Sequence, residues 1–210
     1  MPGRLRYVAL GDSYTIGTAL TRPSDRWPDR LVAAVDTPPG LELVANLGVN
    51  GFTSRDVIEV ELPQVATLRP AFVSLLVGVN DVVQGVPADT YRTSVARVLD
   101  ALLGLLPASR MVTVATPDYT VTPQGASYGD PATQAAAIRA FNAILRELAA
   151  DRRIAFVDIH DLSLRAADDR SLVADDGLHP SGAQYVLWVE RIAPVVAALI
   201  GSQGATAPAP

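Results

Sequence analysis

Two hydrophobic rhythms alternate along this chain. Short, nearly continuous apolar runs occupy 7–10, 41–47, 71–77, 110–115 and 154–159. Runs of this length and density are those of strands buried on both faces. Longer stretches, 24–35, 53–68, 88–106, 132–150 and 181–200, repeat their apolar residues at helical spacing. In 24–35, Trp27, Leu31 and Val35 share one face, which the pattern directs to the core. Pro63 is expected to interrupt 53–68, and Pro194 to kink the last helix. Strand and helix alternate five times without an internal repeat. That order predicts an α/β fold, a three-layer sandwich with helices on both faces of a five-stranded parallel sheet. In open sheets of this kind ligands bind beyond the carboxyl ends of the strands. Chemistry is therefore expected in the loops that begin at Gly11, Gly48, Gly78 and Thr116.

The fourth loop, 116–131, is rich in Thr, Pro, Gly, Tyr and Asp and is too long for a simple connector. Such loops often cover binding sites, so Tyr119 and Tyr128 are candidates to line a substrate pocket, or else plain surface tyrosines. Residues 1–200 are expected to form one domain, and 201–210, small, polar and Pro-containing, a loose tail.

Composition narrows the chemistry. The 210 residues are 49% hydrophobic, enough to bury a substantial core without staples, and the net charge is −5. A basic face for nucleic acid is not expected. Cysteine is absent, which excludes disulfides and thiolate metal sites. With two histidines, a zinc site would have to draw on carboxylates, and no metal is expected. No cationic stretch leads into an apolar segment near the N-terminus, and no run of about 18 uninterrupted apolar residues occurs. A cytoplasmic location and no membrane span are the expectations.

Polar groups stand beside glycine at the ends of three strands, in Gly11-Asp12-Ser13-Tyr14, Gly48-Val49-Asn50-Gly51 and Gly78-Val79-Asn80-Asp81. A fourth segment, Asp176-Gly177-Leu178-His179-Pro180, precedes the last helix. Together they supply a hydroxyl, hydrogen-bond donors, an imidazole and a carboxylate, the set needed for acyl transfer through a serine intermediate. Ser13 sits in a tight turn where its hydroxyl can be exposed, although a helix N-cap serine would read the same. His179 offers a base whose ordinary pKa lies near neutrality. Asp176, three residues before it, can accept from the imidazole Nδ1. Asp175 is a neighbour that could be confused with it. His160, without an Asp-x-x-His context, reads as structural, and Asp12 and Asp81 as turn-bracing residues.

These four segments, in this order and spacing, resemble the sequence blocks of the SGNH hydrolases, also called the GDSL esterase/lipase family, over residues 5–200. The resemblance implies a flavodoxin-like fold, Ser13 as nucleophile, His179 as base and Asp176, rather than Asp175, as its partner. It implies an oxyanion hole made of the Ser13 and Gly51 backbone amides and the Asn80 side chain. It implies hydrolysis of carboxylic esters, over a family range of short-chain esters, lysophospholipids, thioesters and acetylated sugars, and no cofactor; the compact, anionic chain without a long apolar insertion leans toward small-molecule esters with short acyl groups. An acyltransferase would use the same residues, and a non-catalytic ligand-binding domain would share the fold. Gly-x-Ser-x-Gly, a P-loop and Gly-x-Gly-x-x-Gly are all absent, which sets aside the α/β-hydrolase elbow and nucleotide binding.

Overall fold

The computed structural model describes residues 3–36 and 38–201. Its centre is a sheet of five strands, β1 (Leu5–Gly11), β2 (Leu41–Asn46), β3 (Phe72–Leu76), β4 (Met111–Val114) and β5 (Ala155–Val157). All neighbouring strands are parallel, in the order β2-β1-β3-β4-β5. This is the flavodoxin-like order, whose switch point falls between β1 and β3. Every residue of β3 and β4 is buried, Ser74 and Thr113 included, in keeping with their nearly continuous apolar runs.

The helices are α1 (Ser13–Ile16), α2 (Trp27–Ala34), α3 (Ser54–Asp56), α4 (Leu62–Leu68), α5 (Val79–Val83), α6 (Ala88–Leu103), α7 (Pro131–Asp151), α8 (His160–Leu164) and α9 (Gly182–Gly201). The pair α2 and α9 forms one outer layer, and α6 packs with α7 and α4 to form the other. Trp27, Leu31 and Val35 are buried, as their spacing indicates. Across the opposite layer Tyr91 of α6 stacks on Phe141 of α7, with ring centroids 4.1 Å apart.

Three departures from the sequence pattern have physical causes. Segment 53–68 does not break at Pro63. Instead Val57–Glu61 widens into a π turn, and the Leu62 amide reaches back to the Val57 carbonyl. A proline ring clashes with the carbonyl four residues earlier, and the wider turn just before Pro63 relieves that crowding. The helices α5 and α8 are about one turn long, too short for their periodicity to register. The loop 116–131 holds two 3₁₀ turns, Tyr119–Val121 and Gly125–Tyr128.

The last helix, Gly182–Gly201, runs on through Pro194. By length and composition it could cross a membrane, with a mean hydropathy of 1.4, although Gln184, Glu190 and Arg191 interrupt its apolar run. In the fold it serves as a layer of the sandwich, burying Tyr185, Trp188, Ile192, Val196 and Ile200. Apart from Gly201, the tail expected at 201–210 lies outside the described residues.

Candidate active site

The chain leaves β1 through Gly11 and turns at once into α1. Asp12 is the N-cap: its Oδ1 accepts from the Tyr14 amide at 3.0 Å, and its carbonyl accepts from the Thr15 and Ile16 amides, each at 3.0 Å. The capping role that the sequence left open for Ser13 therefore belongs to Asp12. Ser13 is the first helical residue. Among the described residues, neither its amide nor its hydroxyl has a hydrogen-bond partner. A backbone donor and a hydroxyl are thus left unused at a position only 6% exposed.

The imidazole comes from the other end of the chain. The segment 173–180 folds back on itself: the Ala174 amide donates to the His179 carbonyl at 2.8 Å, and Val173 bridges Pro180. Within it, His179 Nδ1 lies 2.5 Å from Asp176 Oδ2. Asp176 Oδ1 accepts from the Leu178 and His179 amides at 2.9 and 3.0 Å. Partial burial opposes the charge of Asp176. The His179 ring and the two amides outweigh it and hold the carboxyl below the usual range. Asp175 is exposed and takes no part in this arrangement. The His179 ring leans on Tyr14, with centroids 5.4 Å apart, and the Tyr14 carbonyl accepts from the Tyr185 hydroxyl of α9 at 2.8 Å. Tyr14 thereby ties the serine turn, the imidazole and the last helix together, a role that the helical pattern did not reveal.

Two further donors face the same place. Gly51 follows β2 with φ +81°, a left-handed conformation, and a Cβ built there would meet nothing within 4 Å. Backbone freedom rather than space explains glycine here. Its amide has no acceptor among the described residues. Asn80, after β3, donates one amide hydrogen to the Phe52 carbonyl at 2.9 Å, which fixes the plane of the side chain and leaves a second hydrogen. The loops after β2 and β3 are locked to each other by Asp81, whose carboxylate accepts from the Ser54 amide at 2.8 Å and the Ser54 hydroxyl at 2.5 Å.

Ser13, Gly51, Asn80, Tyr119, Tyr128 and His179 line one cleft of about 240 Å³ at the carboxyl ends of β1–β3, with Val79, Val83 and Leu178 as apolar wall. The structure brings together every residue expected at the site; Asp176 stands behind the imidazole. Ser13 and His179 share the cleft without a hydrogen bond between them, and such contacts often close only when substrate binds. Tyr119 and Tyr128 meet edge to face at 6.0 Å. Tyr128 is exposed, whereas the Tyr119 hydroxyl is buried and has no partner among the described residues. Burial, reinforced by Asp118 and Tyr128, pushes that phenol up to about 12, so it stays a donor. His160 lies outside the cleft, with Nε2 3.5 Å from Asp118 Oδ2. Among the described residues no group of three or more His, Asp or Glu is arranged to hold a metal ion. A larger groove between α2 and α9 is lined by Ala33, Ala34, Val189 and Ala193, and contains neither a histidine nor any of the predicted site residues.

Residues 9–187 match the model of the GDSL-like Lipase/Acylhydrolase family. No curated protein gives a significant match. Among solved structures, one assigned to the G-D-S-L family of lipolytic proteins, from Desulfitobacterium hafniense DCB-2, is 22% identical. The match covers 91% of this chain and 99% of that one, with a TM-score of 0.71. The acetylxylan esterase Axe2 from Geobacillus stearothermophilus is 19% identical over 92% of this chain and 95% of its own, with a TM-score of 0.69. Structures of its catalytic mutants, in which a serine, an aspartate or a histidine is replaced by alanine, match over 93% of this chain with TM-scores of 0.71–0.73.

Proposed function

The chain belongs to the GDSL-like lipase/acylhydrolase family and is a carboxylic ester hydrolase, and on that premise we propose that it works through an acyl-enzyme on Ser13. Ser13 Oγ attacks the ester carbonyl while His179 Nε2 takes its proton. Asp176 holds the ring through Nδ1 and offsets the charge that the ring acquires. The carbonyl oxygen, now an anion, enters the space faced by the Ser13 amide, the Gly51 amide and the free hydrogen of Asn80. His179 then protonates the departing alkoxide. A water, deprotonated by His179, attacks the acyl-enzyme, and the acid leaves with Ser13 restored. One observation carries this reading: residues at opposite ends of the chain converge on one cleft, where the Ser13 hydroxyl and the Ser13 and Gly51 amides have no other partner among the described residues. The aspartate and histidine of the acetylxylan esterase mutants stand three positions apart, as Asp176 and His179 do, which supports the same assignment.

The substrate reading follows from the cleft. Its volume of about 240 Å³ lies below the usual range for sites that enclose a drug-sized ligand. Short acyl groups fit the apolar wall of Val79, Val83 and Leu178. A p-nitrophenyl ester series from acetate to palmitate tests this. Activity is expected to peak at the short esters and to vanish on Ser13→Ala, and a maximum at the long chains would overturn the pocket assignment. Retention of most activity by Ser13→Ala would overturn the nucleophile.

A further inference from the structure

Of the three donors assigned to the anion, the Ser13 amide sits in a buried turn, and the Asn80 side chain is fixed on the Phe52 carbonyl at 2.9 Å. The Gly51 amide is held differently. It lies in the turn 49–52, closed by the Phe52 amide on the Val49 carbonyl at 3.2 Å. Val49, Asn50 and Gly51 are all exposed, and a Cβ at Gly51 would meet nothing within 4 Å. Packing therefore does not hold this peptide. Its plane is set by rotation at Asn50 and at Gly51, and glycine has the most backbone freedom of any residue type. An oxyanion donor that swings is a poor one, because its worth lies in being aimed before charge develops.

Hydrogen bonds must do what packing does not. From the β3 side, Asn80 donates to the Phe52 carbonyl, and Gln84 Nε2, just after α5, reaches the Gly51 carbonyl at 3.4 Å. Both carbonyls belong to peptides that follow the Gly51 amide. The carbonyl half of the peptide in question belongs to Asn50, and the Asn50 side chain is tied from the other side: its Oδ1 accepts from the Thr18 hydroxyl. Thr18 is itself anchored. Gly17, with φ +76°, ends α1, and the Thr18 amide then donates to the Ser13 carbonyl at 3.0 Å. One residue thus joins Ser13 through its backbone and the Gly51 turn through its side chain. Asn46, at the end of β2, donates to the Thr15 carbonyl at 2.7 Å and holds the base of the same loop to α1. Thr18 holds its tip.

We propose that Thr18 is a positioning residue for the oxyanion hole: its hydroxyl, donating to the Asn50 side chain, fixes the peptide that carries the Gly51 amide in its place beside Ser13. The inference rests on the acyl-enzyme reading given above and adds a residue that serves it without touching substrate. Thr18 links the two backbone donors, which come from different loops, and Asn80 closes the set from the third. Losing the link leaves the Gly51 amide present but less well aimed, so the transition state suffers and substrate binding does not.

Thr18→Val keeps the branched shape and removes the donor. On p-nitrophenyl acetate, kcat is expected to fall about five- to tenfold, the scale of one lost hydrogen bond, with KM little changed. That is less than the roughly 10²–10³ lost with a whole oxyanion donor. Thr18→Ser keeps the hydroxyl and should restore kcat. Phenylboronic acid, which adds to a serine hydroxyl as a tetrahedral anion, should bind Thr18→Val more weakly by the factor that kcat loses. Asn50→Ala removes the other partner, and the double variant should lose no more than the larger single loss. Unchanged kcat in Thr18→Val, a loss in Thr18→Ser as deep as in Thr18→Val, or additive losses in the double variant would overturn the proposal. A fluorophosphonate label separates it from the reading beneath it. Label on Ser13 with unchanged kcat in Thr18→Val removes the role of Thr18 alone, whereas no label on Ser13 removes both.

Discussion

Asp176 and Glu61 are the same chemical group at two sides of one serine turn, in opposite surroundings. Asp176 stands at the rim of the cleft with its side chain 34% exposed, takes three hydrogen bonds from nitrogen, and is held as an anion. Glu61 lies under the turn with no exposure, takes one hydrogen bond, and is pushed towards the neutral acid. The number of donors reaching the oxygens, set against the loss of water, decides the charge. The lesson is a division of labour. In the proposed mechanism, an anion that must balance a developing imidazolium is kept near water and well supplied with donors. A carboxyl that only has to hold geometry can be buried, provided it keeps its proton.

The comparison can be broken first at the rim. Asp176→Asn preserves size and removes the charge, and its amide can present the wrong atom to Nδ1. A fall in kcat of about 10⁴-fold is expected, the scale seen when the triad carboxylate is neutralised in serine proteases. Steady-state kinetics on p-nitrophenyl acetate measure it, and a loss under tenfold would place Asp176 outside the mechanism.

A smaller effect sharpens the comparison through stability. The folded values of Glu61 and Asp12 lie above their unfolded values, near 4, so their contribution is complete below about pH 4 and is lost as pH rises through about 8–9. Asp176 runs the other way: its folded value is lowered, so its contribution is present above the ordinary carboxylate value and is lost in acid. Thermal melts from pH 5 to 9 should show Tm falling with pH, and falling less in Glu61→Gln. Parallel curves for the two proteins would mean that Glu61 does not titrate in this window.

The difference between rim and floor also explains what the sequence made legible. The fold was readable because its strands are nearly continuous apolar runs and its long helices are amphipathic. Ser13, Gly51, Asn80, Asp176 and His179 were readable because each stands in a short polar segment after a strand or before the last helix. Glu61 was hidden by a different logic. It interrupts the apolar face of Val57, Glu61 and Val65, and a charge on a buried face was a visible signal. Its target, however, is the Gly11 amide, fifty residues earlier, and the π turn that aims it leaves no periodic trace. Asp12 read in sequence only as a turn-bracing residue; its capping of α1 and its second oxygen, orphaned by packing, came from the structure. The order of strands came with the family resemblance rather than from the pattern, since alternation alone does not fix which strand lies next to which. The turns in 116–131 depend on Asp118, whose Oδ1 accepts from the Thr120 amide and hydroxyl, a local contact without periodicity.

The central claim is that Ser13 carries the acyl group with His179 as its base. Labelling with a fluorophosphonate, followed by mass mapping of the adduct, addresses it most directly. One covalent adduct is expected, on Ser13, absent from Ser13→Ala and formed far more slowly in His179→Ala. An adduct on another residue, or none on the active protein, would contradict the account.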